Sequence, residues 1–128
     1  GLSNCLFLPY QELEVLPYSL TAADLAVVSL GIHADGLVAP SKVYGHLAAG
    51  TPLAVVAPSS SDICQLVVDD LGRCFRNGDA SGLADFIRQL VEEPDLLATF
   101  SARCRSAAIE RFGRDSAASA YRRVLMGY

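Results

Sequence analysis

An α/β fold on a parallel sheet is what the sequence predicts, on three observations. Short runs of apolar and branched residues alternate with segments whose apolar positions recur at helical spacing. The runs carry too few polar residues to leave one face in water, the mark of strands covered on both sides. Turn residues punctuate the junctions, as at Ser59-Ser60-Ser61-Asp62 and Asn77-Gly78-Asp79. The expected architecture is a Rossmann-like parallel sheet of about four strands with helices on both faces, in which ligands bind at the carboxyl ends of the strands. The loops of interest are then Pro9 to Gln11, Gly31 to Lys42 and Ala57 to Asp62.

Taken in order, Asn4-Cys5-Leu6-Phe7-Leu8-Pro9 is an apolar run stopped by proline, and residues 4–9 are the first expected strand. Leu16, Leu20 and Ala23 then repeat at helical spacing, with Pro17 where a first helical turn tolerates it. Leu25 to Leu30 reads as a second strand buried on both faces, followed by a helix over 41–49 and a strand over 52–57. A helix over 62–71 carries Ile63, Leu66, Val67 and Leu71, and a weaker strand spans Gly72 to Arg76. Asp79 is placed to cap a helix whose stripe is Leu83, Phe86, Ile87, Leu90 and Val91. Two more helices run through Leu97, Phe100, Cys104 and Ala108, and through Ala117, Tyr121 and Leu125. The chain begins directly on an expected strand and shows one half of a doubly wound sheet, so residues 1–128 are expected to be part of a longer protein. The bare edge of strand 4–9 would then favour self-association of the piece.

Composition narrows the function classes. A hydrophobic fraction of 52% and mean hydropathy of +0.33 supply a folded core and exclude global disorder. A net charge of -4 offers no field for a polyphosphate backbone, so nucleic acid is not an expected partner. Arg103, Arg105, Arg111, Arg114, Arg122 and Arg123 alternate with acids and read as the wet faces of two helices. Cys5, Cys64, Cys74 and Cys104 contain no CxxC pair, which argues against zinc and thioredoxin-type sites and leaves buried free thiols of a reducing cytosol. No apolar run approaches a membrane span and no leader pattern is present, so a soluble, cytoplasmic domain is expected.

The most informative segment is GLVAPSKVYGHLAAGTP, residues 36–52. It is expected to run extended, turn at Pro40-Ser41 into a helix, and close at Gly50 in a left-handed cap. The first amides of that helix have no intrahelical acceptor and carry the positive end of the macrodipole, so an anion such as a diphosphate is a natural ligand. Lys42 in the first turn opposes the dipole by roughly 0.3 to 1 kcal/mol, which hints at a compensating anion; a solvated surface lysine is the alternative.

With these residues in place, the order FLPYQ (7–11), LPYSLTAADLAVVSL (16–30), DGLVAPSKVYGHLAAGTP (35–52) and NGD (77–79) resembles the C-terminal half of GT-B glycosyltransferases. Within these it is most similar to bacterial family 4 enzymes that build cell-surface polysaccharides. The resemblance implies a nucleotide-sugar donor domain of a retaining enzyme, with UDP- or GDP-linked sugar as donor, a glycan or lipid-linked acceptor held by the rest of the protein, and no metal or cofactor. It implies that the base lies against Pro9, Tyr10 and Gln11. The diphosphate would meet Gly36, Pro40, Ser41 and Lys42, and Lys42 would steady the leaving group. The full-length protein could then sit at the inner face of the membrane, and the isolated piece would be inactive.

The sequence also departs from that pattern. Many family 4 enzymes carry a glutamate in this loop and another on the following helix, the second holding the ribose. Their positions here are Leu37 and Gly45. Losing charge-assisted bonds of roughly 1.5 to 3 kcal/mol each would weaken donor binding about tenfold or more. Gly45 would instead let the backbone approach the nucleotide, and Asp35 either replaces the missing carboxylate or stabilises the turn before Gly36. His33 faces the expected cleft or solvent, His46 is structural or solvent-facing, Asp62 is an N-cap or a sugar contact, and Tyr18 and Tyr44 are packing residues. A noncatalytic nucleotide-sugar-binding or assembly domain is the rival reading, and a GT-B epimerase or phosphorylase a third.

Overall fold

The computed structural model describes residues 2–34, 36–67 and 70–127. Helix α1 (Leu16–Thr21) leads to strand β1 (Ala26–Ser29) and a 3-10 turn at Ile32–Ala34. Helix α2 (Lys42–Ala49), β2 (Leu53–Val56), α3 (Asp62–Leu66) and β3 (Gly72–Phe75) follow, then α4 (Ala80–Glu92), α5 (Pro94–Glu110) and α6 (Arg114–Met126). The strands form one parallel sheet in the order β1-β2-β3, with Ala26 opposite Leu53 and Leu53 opposite Gly72. Parallel neighbours require a crossover, and α2 and α3 supply the two.

The central strand β2 is apolar throughout because it faces two cores. Leu53 and Val55 join Val28, Val43, Leu47 and Ile63 on one side, while Ala54 and Val56 join Phe75, Phe86, Leu90 and Phe100 on the other. Burial of a side chain such as Leu47 or Phe86 contributes about 1.5–3 kcal/mol against exposure. Thr51 is buried and donates its hydroxyl to the Leu20 carbonyl at 3.2 Å, tying the end of α1 to the start of β2. Gly50 caps α2 at φ 76° as the sequence predicts, and Asp79 caps α4 by accepting the Gly82 amide at 3.0 Å. The late arginines are exposed, as expected of wet helix faces. No helix among the described residues is long and apolar enough to cross a membrane.

Several expectations need correction. The sheet of the described residues has three strands rather than four, because residues 4–9 pair with nothing and Leu6 and Phe7 stand 81% and 93% exposed. An apolar run sets a tendency to extend, but a strand exists only where another offers it a ladder. β1 is not covered on both faces, since Val27 and Ser29 are exposed. The helix expected over 62–71 ends at Leu66; Asp70 takes φ 58° as the chain reverses ahead of Gly72, and residues 68–69 lie outside the described ones. The cysteines are not four buried thiols either. Cys64 and Cys74 form a disulfide, Cys5 is free and exposed, and Cys104 is free and buried. Residues ten apart in sequence meet here because α3 packs back onto β3, a tertiary contact that spacing alone does not disclose.

Candidate functional site

A cleft of about 310 Å³ opens beyond the carboxyl ends of β1 and β2. Its floor is Leu30, its near wall the segment Gly36 to Pro40 with Val43 and Tyr44 of α2, and its far wall Asp62, Ile63 and Leu66 of α3. Local sequence explains the shape. Pro40 has no amide to offer a helix ladder and sets the chain up for the first turn, while Val43 and Leu47 bury one stripe of α2 against the sheet. The amides of Val43 and Tyr44 bond the Pro40 and Ser41 carbonyls at 3.2 Å, a tightened first turn. An anion at this terminus would therefore be met by the amides of Ser41 and Lys42, which helix geometry leaves outside the ladder.

Gly36 and Pro40 line the cleft, and Ser41 and Lys42 follow immediately on the exposed start of α2. Ser41 is the helix N-cap residue and makes no side-chain cap bond. Gly45 is placed differently: it lies in mid-helix, where an added methyl would press on the Leu20 side chain of α1 at 3.3 Å. Pro9, Tyr10 and Gln11 do not line the cleft; Tyr10 is 99% exposed and Gln11 donates to the Pro9 carbonyl at 2.8 Å. Asp35 lies outside the described residues. His33 is exposed in the 3-10 turn.

Other residues acquire roles that the sequence left open. Asp62 is not the N-cap of α3, which is Ser61; it is the first helical residue, exposed, and the acidic residue of the cleft lining among the described residues. Tyr44 both packs and lines the cleft, its ring 5.2 Å from Phe112. Asn77 reaches from the turn after β3 to the Leu30 carbonyl at 3.0 Å, pinning the cleft floor across the end of β2. Its turn was legible, but the partner is 47 residues away and no local signal marks it. His46 is held below its ordinary pKa, first by burial and then by the Lys42 charge, so it is neutral at neutral pH. Its Nδ1 and the Ser61 hydroxyl are buried without a hydrogen-bond partner among the described residues. No cluster of three or more His, Cys, Asp or Glu that could hold a metal stands among them.

Among the described residues, the cleft combines apolar walls with Asp62, and the start of α2 with Lys42 follows directly on its wall, at the position where parallel sheets bind ligands. No protein-family model, curated protein or solved structure matches the chain.

Proposed function

We propose that this chain is the donor-binding part of a glycosyltransferase that moves a sugar from a nucleoside diphosphate onto a glycan or lipid-linked acceptor. The observation that carries the reading is the cleft bounded by Gly36 to Pro40 and opening beside the amino end of α2, with Lys42 in the first turn. The parallel sheet supports a Rossmann-like assignment, in which the diphosphate lies at such a helix start. Glycosyl transfer of this type needs positioning and stabilisation of a departing diphosphate more than it needs a nucleophilic triad. The Ser41 and Lys42 amides with the Lys42 ammonium suit that task, and the cleft would hold the sugar. In the full-length protein the remaining domain supplies the acceptor, and the reaction belongs to cell-surface polysaccharide synthesis.

Titration with UDP, GDP and ADP, followed by amide NMR shifts, tests the proposal. Saturable shifts over Gly36 to Tyr44 with one nucleotide, lost in Lys42→Ala, are expected. No saturable shift with any of the three sinks the reading. A noncatalytic nucleotide-sugar-binding domain is favoured by one observation, that Gly45 and Leu37 offer no side-chain acceptor to a ribose. Unchanged turnover of the full-length Lys42→Ala enzyme would select it.

A further inference from the structure

We propose that the Cys64–Cys74 disulfide is a redox-sensitive tether that holds one wall of the cleft in place. For the identity of the ligand this rests on the function proposed above; the tether itself does not.

Cys64 sits within the run that forms the far wall, between Ile63 and Leu66, and is joined to Cys74 on β3. The Cα atoms are 5.4 Å apart, inside the span a disulfide bridges without backbone movement. The wall it holds is a five-residue helix. A helix that short has no stability of its own and persists only through what fixes it to the body. Ile63, Cys64 and Val67 supply apolar anchorage, and the disulfide adds the covalent link.

The bond is also placed for exchange. β3 is an edge strand and Cys74 is half-buried, whereas Cys64 is 4% exposed. A dithiol reductant therefore attacks the Cys74 sulfur as thiolate, breaking the S–S bond and expelling the Cys64 thiolate, which takes up a proton. The second thiol of the reductant then attacks its own sulfur in the mixed disulfide and releases Cys74, which is protonated in turn. Two electrons and two protons pass to the protein, and the reductant leaves as its disulfide. Cys104 shares the same core cluster but does not compete, since burial holds its thiol protonated. Reduction leaves the sheet intact and frees α3, so the wall carrying Asp62, Ile63 and Leu66 loosens.

The test uses the whole chain, air-oxidised and dithiothreitol-reduced, with Cys74→Ser as the permanently reduced form. Mass spectrometry after alkylation should find Cys5 and Cys104 alone modified in the oxidised, unfolded protein, and all four cysteines after reduction under native conditions. Amide hydrogen exchange over residues 62–67 should then quicken by about tenfold or more. In Cys74→Ser it should be fast with or without reductant, and UDP affinity should fall in step. Four alkylated cysteines in the oxidised protein, a bond that native dithiothreitol leaves intact, or exchange indifferent to reduction each overturn the tether. If exchange responds but UDP binds neither form, the tether stands and it is the nucleotide reading that UDP fails to support.

Discussion

Cys104 shows how a single buried group makes stability depend on pH. Its thiol lies 3.4 Å from the Leu71 carbonyl, and burial pushes its pKa from the ordinary 9.0 up to about 11. Above pH 9 the unfolded chain releases this proton while the folded one keeps it, so stability is lost between about pH 9 and 11, by on the order of 2–3 kcal/mol. Denaturant melts across that range should show the loss, and Cys104→Ala should abolish its pH dependence. His46 acts on the acid side. Its pKa is lowered, so its contribution is complete above the ordinary value of 6.5 and drains as pH falls below it, a slope that His46→Gln should remove. Gly72 is the residue least open to change. It begins β3 at φ 149°, and a Cβ there would fall on the Leu53 carbonyl, so Gly72→Ala is expected to cost about 3 kcal/mol or more in equilibrium unfolding.

Among the elements, α4 and α3 respond to different losses. Asp79→Ala removes the acceptor of the Gly82 amide and should destabilise by about 1 kcal/mol, with increased exchange confined to the first turn of α4. Reducing the Cys64–Cys74 bond opens a loop of sequence separation 10 and should lower stability by about 3 kcal/mol by chain entropy. The elements also differ in how legible they were. The start of α2, its Gly50 cap, the Asp79 cap and all three paired strands can be read from the chain, because propensity, capping and apolar period are local quantities. The fate of residues 4–9, the early end of α3 and the Cys64–Cys74 pair could not, because each depends on what lies opposite in space. The site divides along the same line. Its loop and helix start were visible as Gly36 to Lys42, whereas Leu30, Tyr44, Leu66 and the Asn77 bond enter only through packing.

For the molecule as a whole, the uncovered apolar surface matters most. β1 has no neighbour on its outer edge among the described residues, Val27 is 53% exposed, and Leu6, Phe7 and Tyr10 stand open in the N-terminal segment. Such surface predicts concentration-dependent self-association, now through the β1 edge rather than a strand at 4–9. Light scattering should report a mass that rises with concentration and falls back in Val27→Lys; a monomer at all concentrations would refute it. Strand order along the sheet has a second consequence, because it repeats strand order along the chain. A polypeptide leaving the ribosome can lay each new strand on the edge of the one before, and none has to wait for a later strand to be inserted beside it. Helix α5 returns to earlier ground, where Arg105 donates to the Ala48 carbonyl and Ser101 lies against Gly50. Translation thus completes the wall Gly36 to Pro40 and helix α2 first and their brace long afterwards, so the candidate cleft takes shape before its support arrives.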